Sequence, residues 1–221
     1  MQGAQMIDRV AVFGEGSAMS EPIVHIVDDD AAVRASLDSL FQSVGLGTRQ
    51  HGTAQSFLDS GEADQAGCLV LDVRLPGVSG LDFQDRLNAC GVRMPVVFMT
   101  GHGDIPMSVR GMKAGAVDFL AKPFRDQDML DAVAAALDRD RAARTESVEL
   151  AALRAMYEQL SPREKQVLGM VAMGLLNKQI AHELGLSEIT VKVHRSAATR
   201  KMGARNMVEL LKMSQALGIG V

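Results

Sequence analysis

The sequence predicts an α/β domain, a doubly wound parallel sheet of five strands, joined through a helical stretch to a smaller all-α domain of four helices. Three observations carry this. Up to about residue 138, five short apolar runs alternate strictly with helical patterns, the arrangement that gives parallel strands and right-handed crossovers. Beyond residue 160 the apolar period is helical only, and Gly174, Gly185, Gly203 and Gly218 punctuate it. The charge divides at the same place. Residues 161–221 hold nine Lys or Arg against four Glu, a net of +5, whereas the other residues hold 14 basic and 23 acidic side chains, a net of −9.

Taken in order, residues 1–21 show no convincing period and read as a flexible tail, with Met19 a candidate start. Strands are predicted at 23–28, 47–51, 68–72, 95–100 and 117–121. Helices should begin near Ala31, Thr53, Gly80, Pro106 and Asp126. After Asp126, the residues Met129, Leu130, Val133 and Leu137 keep a helical period, and Leu150, Leu153, Tyr157 and Leu160 form a second stripe. No proline or glycine falls within 124–161, so the linker is predicted to be helical. The expected organisation is a tail over 1–21, a first domain over 22–138, a linker over 139–159 and a second domain over 160–221.

The second domain opens with Ser161-Pro162-Arg163-Glu164, which supplies an N-cap, a proline in the first turn and a capping-box glutamate. That helix should run to about Met173. Asn177 is the predicted cap of a second helix, through Leu184. A third starts at Ser187 or Thr190 and reaches Met202, and Asn206 caps a fourth that ends near Gly218. A tight Gly185-Leu186-Ser187 turn between the second and third helices describes a helix-turn-helix.

With 221 residues and 47% hydrophobic content, the chain can bury two cores. No apolar stretch approaches transmembrane length, and the start lacks the pattern of a signal peptide, so a cytoplasmic protein without a membrane partner is expected. Cys68 and Cys90 form no paired motif and are read as small hydrophobes.

Chemistry concentrates at the carboxyl ends of the predicted strands. Asp28-Asp29-Asp30, Leu71-Asp72, Met99-Thr100-Gly101 and Ala121-Lys122-Pro123 should meet at one edge of the sheet, where open α/β sheets bind ligands. Crowded carboxylates raise one another's pKa unless a cation offsets them. The set therefore implies a divalent metal, a phosphate and Lys122 to hold it.

The order of acid pair, lone Asp, Thr and Lys-Pro resembles that of the two-component receiver domain, and residues 24–30 and 100–119 resemble its FixJ branch. Leu160-Ser161-Pro162-Arg163-Glu164, Asn177-Lys178-Gln179-Ile180-Ala181 and Thr190-Val191-Lys192-Val193-His194 resemble the LuxR-type DNA-binding domain. Together these resemblances imply a response regulator of the FixJ/NarL type with a flavodoxin-like receiver. They make Asp72 the phosphoacceptor, Asp29 a direct metal ligand, Asp28 its neighbour acting through water, and Thr100 and Phe119 the switch pair, with Lys122 completing the site. Mg²⁺, or Mn²⁺, would take oxygens of Asp29, Asp72 and the Arg74 backbone carbonyl. The resemblance also implies a cis Lys122–Pro123 bond. Arg74 and His102 should flank the phosphate, and the face of residues 105–113, in which Gly111 weakens the helix, should be a phosphorylation-dependent dimer surface.

On the third helix of the second domain, Val191, His194, Ala198 and Met202 share an inward stripe, while Ile189, Lys192, Val193, Ser196 and Arg200 share an outward one. Lys192, Val193 and Ser196 suit base edges. Thr190, Asn177, Lys178, Arg195 and Lys201 suit phosphates. The expected partners are a sensor histidine kinase, a double-stranded DNA operator and a second copy of the chain, with RNA polymerase a further candidate. Two other readings compete with this one: a regulator that binds DNA without phosphorylation, and a metal-dependent phosphohydrolase.

Overall fold

A computed structural model describes residues 21–101 and 105–220. The readings of the tail up to residue 20 and of His102 lie outside the described residues. The chain forms two compact units, one up to Arg141 and one from Ala142.

The first unit contains β1 (Ile23–Val27), α1 (Ala31–Ser43), β2 (Gly47–His51), α2 (Ala54–Asp59), β3 (Gly67–Asp72), β4 (Arg74–Leu75), β5 (Val78–Ser79), α3 (Gly80–Ala89), β6 (Val96–Thr100), α4 (Ile105–Lys113), β7 (Asp118–Ala121) and the start of α5 (Asp126–Glu158). Five strands pair in parallel in the order β2-β1-β3-β6-β7. Alternate residues of each strand feed the two faces. Val27, Leu69, Leu71 and Phe98 pack with Phe57 and Phe83, while Val24, Ile26, Val70, Val97 and Met99 pack with Leu37, Phe41, Met129 and Val133.

Register decides where the site forms. Val27 lies opposite Leu71, Asp72 opposite Met99 and Thr100 opposite Ala121, so the functional residues leave their strands at nearly one level. Two close approaches fix β3 within this frame. A Cβ on Gly67 would lie 1.9 Å from the Ile23 carbonyl oxygen, and one on Gly80 would lie 2.4 Å from that of Asp72. Both positions require glycine.

Two local features differ from the expectation. The stretch after β3 folds into a short antiparallel pair, with Arg74 opposite Ser79 and Leu75 opposite Val78, around a turn at Pro76 and Gly77. Residues 126–158 form one helix rather than separate domain and linker helices, as the absence of proline and glycine permits. Asp140, 6% exposed, accepts the Gly67 backbone N–H at 3.0 Å and anchors α5 to the start of β3. No described helix is long and apolar enough to cross a membrane.

The second unit holds the rest of α5 with α6 (Pro162–Ala172), α7 (Asn177–Leu184), α8 (Glu188–Lys201) and α9 (Met207–Ala216). Ser161 and Glu164 form the expected capping box. Ser187 Oγ accepts the Thr190 N–H, which makes Ser187 the start of α8, and Asn206 caps α9. The expectation for Asn177 is corrected. Leu176 occupies the cap position, where Gln179 Oε1 accepts its backbone N–H at 2.8 Å, and Asn177 is the first helical residue. Leu160, Leu168, Ala198, Met202 and Leu210 form one core cluster, and Val167, Val171, Ile180, Ala181 and Val191 another.

Candidate functional site

The carboxyl edge of the sheet gathers three charged groups at bonding distance. Lys122 Nζ donates to Asp28 Oδ2 at 2.7 Å and to Asp72 Oδ1 at 2.9 Å. Both carboxylates are nearly inaccessible, at 1% and 5% exposure, while Lys122 is half-buried. The remaining oxygens are engaged as well. Asp72 Oδ2 accepts the Arg74 backbone N–H at 2.6 Å, and Asp28 Oδ1 accepts that of Asp30 at 2.8 Å. Asp30 caps α1, and Arg34 Nη1 bonds the Asp28 carbonyl oxygen at 2.6 Å.

These surroundings set the charge balance. Burial pushes the Asp72 carboxyl above its ordinary value, and Asp28 adds to the effect, although Lys122 and the Arg74 N–H oppose it. Burial alone would lower the Lys122 pKa, but its bonds to Asp28 and Asp72 outweigh that, so the ammonium is held charged. One lysine among two buried carboxylates leaves negative charge over. Asp29, by contrast, is exposed and lines a groove with Arg74, Pro76, Ser79 and Met107. The donors present are carboxylates and a carbonyl, and they fit a hard divalent cation that balances the surplus.

Thr100 is fully buried at the end of β6, and its carbonyl oxygen accepts the Lys122 N–H at 2.7 Å. The Lys122–Pro123 peptide is cis. Phe119 on β7 is half-buried, its ring 5.8 Å from that of Phe98. On α4, Ile105, Val109 and Met112 are exposed, at 81%, 45% and 47%. Sequence reasoning missed the role of Arg34 and the direct bond between Asp28 and Lys122. The only signal for Arg34 was a basic residue one helical turn beyond the acidic run.

On α8, Lys192, Val193, Ser196 and Arg200 are exposed together with Ile189, whereas Val191, Ala198 and Met202 are buried and His194 is half-buried. Lys192, Ser196 and Arg200 line a groove with Arg195 and Thr199. Other residues assigned to phosphates also make bonds inside the unit. Arg195 Nη1 donates to Asn177 Oδ1 at 3.1 Å, Lys201 Nζ bonds Glu164 Oε2 at 2.7 Å, and the Thr190 and Ser187 hydroxyls lie 2.8 Å apart. Lys178 is exposed on α7.

Comparison with known proteins agrees with this geometry. Residues 24–134 match the response regulator receiver domain, and residues 158–214 match the luxR family of bacterial regulatory proteins. Nodulation protein W of Bradyrhizobium diazoefficiens is 53% identical over 93% of this chain and 91% of its own. The transcriptional regulatory protein FixJ of Azorhizobium caulinodans is 45% identical over 89% of this chain and 93% of its own. Among solved structures, the response regulator StyR matches with a TM-score of 0.77 and 43% identity, covering 89% of this chain and 99% of that one. On these grounds the chain belongs to the response-regulator family, as a transcriptional regulator with a receiver domain and a LuxR-family DNA-binding domain.

Proposed function

We propose that Asp72 takes a phosphoryl group from a sensor histidine kinase, and that the modified protein dimerises and binds an operator in the cytoplasm through α8. The observation that carries this reading is Lys122 Nζ bridging Asp28 and Asp72 at the edge of the sheet. An Asp72 carboxylate oxygen forms the new P–O bond while the P–N bond to the kinase's histidine breaks, its electron pair leaving on the imidazole. Lys122, already at bonding distance from Asp72, meets the charge that gathers on the transferred oxygens, and its ammonium is in place before the reaction. Asp29, Asp72 and the Arg74 carbonyl are the groups that would hold Mg²⁺ or Mn²⁺, which supplies further neutralisation of that charge. Asp28 orients Lys122.

Thr100 and Phe119 read the change. The Thr100 hydroxyl turns toward the phosphoryl group and Phe119 moves into the space released, which alters the α4 face carrying Ile105, Val109 and Met112. That apolar face suits a second copy of the chain. A dimer presents two α8 helices to paired half-sites, where Lys192, Val193, Ser196 and Arg200 reach base edges and nearby phosphates. Lys178 adds a phosphate contact, together with Arg195, Thr190, Asn177 and Lys201 once their internal bonds rearrange. RNA polymerase is a candidate partner of the assembled complex.

The test follows intact mass and oligomeric state after incubation with acetyl phosphate, with and without Mg²⁺, in the natural protein and in Asp72→Asn. A mass gain of one phosphoryl group accompanied by dimerisation, both requiring Mg²⁺ and Asp72, is expected. No mass gain in folded protein would overturn the phosphoacceptor assignment.

A further inference from the structure

His25 sits in the middle of β1 and is fully buried, between apolar Val24 and Ile26. The parallel register places it opposite Arg49, so His51, two residues further along β2, shares its face of the sheet. Glu62, in the connection between α2 and β3, reaches the same point. One nitrogen or oxygen from each of the three residues lies within 4.8 Å of the other two.

We propose that His25 Nδ1, His51 Nε2 and Glu62 Oε2 bind one borderline divalent transition-metal ion, of the zinc class, at a site separate from the oxygen-lined edge at Asp72. The two imidazole nitrogens are 3.2 Å apart. Two nitrogens on a tetrahedral zinc, each bonded at about 2.0–2.1 Å, would be separated by about 3.3 Å. The pair is therefore already at ligand spacing. Glu62 Oε2 lies 3.9 Å from His25 Nδ1 and the three ligand atoms lie within 4.8 Å of one another, so its partly exposed side chain has to swing inward to complete a third vertex. Water entering on the Glu62 side supplies the fourth.

Two further features fit a metal better than a simple packing role. The ring of Phe57 stands edge-on to both imidazoles, at centroid distances of 5.2 and 5.4 Å, and walls the cluster with apolar surface. His25 Nε2 is buried with no hydrogen-bond partner, so the ring is turned to aim Nδ1 at His51 and leaves its other nitrogen unpaired.

The electrostatics agree with that geometry. Burial, with His51 alongside, lowers the His25 pKa to about 4, and burial also lowers that of His51. Both rings are thus neutral at neutral pH, the form that ligates. In the metal-free protein one N–H is shared between Nδ1 and Nε2. On binding, His25 carries its proton on Nε2 instead, so no net proton is released. Arg49 Nε lies 3.6 Å from Glu62 Oε1 and leaves Oε2 to the histidines. Two imidazoles and one carboxylate select zinc-like ions over Mg²⁺. The ion would tie β1, β2 and the α2–β3 connection together at the edge of the sheet.

The experiment titrates Zn²⁺ calorimetrically, and Co²⁺ by its visible absorption, into the full chain with Mg²⁺ in excess. Four proteins are compared: the natural sequence, Glu62→Gln, His51→Gln, and the double variant Asp29→Asn with Asp72→Asn. One equivalent of Zn²⁺, with the intense Co²⁺ bands of a tetrahedral site, should persist in the double variant and weaken at least tenfold in Glu62→Gln and His51→Gln. Glu62→Gln keeps the question decidable should the buried His51 change unfold the chain, and circular dichroism verifies its fold. Absence of one-equivalent binding in the natural protein, or binding unchanged by Glu62→Gln, would overturn the proposal. So would binding lost only in the double variant.

Discussion

In the first unit Lys122 stands between two buried carboxylates, whereas in the second Lys201 meets a single one, Glu164, at the same 2.7 Å that separates Lys122 from Asp28. Glu164 also accepts the Ser161 backbone N–H, so a cation and a backbone donor share one carboxylate. The Lys201 bond, followed by that of Ser161, holds the Glu164 pKa below its ordinary value. At the other lysine, burial wins and the Asp72 pKa rises. Similar distances thus serve opposite ends. The balanced pair is a clasp between α6 and α8, and the unbalanced set holds a surplus of negative charge, as the proposed cation and phosphoryl chemistry requires.

The largest effect is expected from Lys122→Met, which leaves Asp28 and Asp72 buried without their cation. Breaking a buried pair costs about 3–5 kcal/mol, and the partial exposure of Lys122 reduces the expected loss to about 2 kcal/mol at neutral pH. The loss should shrink as acid protonates one carboxylate, and Mg²⁺ should recover part of it. Urea unfolding followed by far-ultraviolet circular dichroism measures the loss. Tyr157 makes the comparison sharper. It is the only tyrosine in a chain without tryptophan, and it packs against the core of Leu160, Leu168 and Met202. Its fluorescence therefore reports the second unit and should not move in Lys122→Met.

Glu164→Ala should reverse the assignment of signals. It removes the Lys201 bond and half of the capping box, an expected loss of about 1–2 kcal/mol seen in Tyr157 fluorescence. The pH dependence differs in sign from that of Asp72. Because the folded pKa of Glu164 is depressed, its contribution is present above the ordinary carboxyl range and is lost as pH falls through the folded value. The gap between natural and variant proteins should therefore close in acid. A gap independent of pH would show that Glu164 acts through packing alone.

Strand ends were legible because Asp72, Thr100 and Lys122 each terminate an apolar run, and a polar residue at the end of a buried strand has few other places to point. The outward stripe of α8 was legible for the same reason, since the helical period separates Lys192 and Ser196 from Val191 and Ala198. Which of two consecutive acids turns inward was not. Asp28 is buried on Lys122 and Asp29 is exposed, an outcome set by contacts with residues far along the chain. Nor could spacing show that Lys201 and Asn177 have partners within their own unit, because those partners lie 37 and 18 residues away. Gly111 illustrates a different limit. Its low helix propensity was visible, but a Cβ there would lie 3.2 Å from Phe98 and 3.3 Å from Leu81, a packing constraint that only the fold reveals.

The smallest effect should come from Asp72→Asn, and its sign is the most informative. A carboxyl whose folded pKa is raised costs nothing while protonated, and the fold loses stability as pH rises through that value. At neutral pH the natural Asp72 therefore opposes folding, and the amide should raise the thermal midpoint of the metal-free protein even though, on the proposed reading, it removes the phosphoacceptor. Lys122 keeps its bond to Asp28 in the variant, so no cation is stranded. The advantage should disappear toward acid pH and also when Mg²⁺ neutralises the natural site. If Asp72→Asn instead melts earlier in metal-free buffer at neutral pH, the Lys122 bond outweighs burial at Asp72. The two lysine sites would then differ in how many carboxylates they hold and not in the sign of their charge balance.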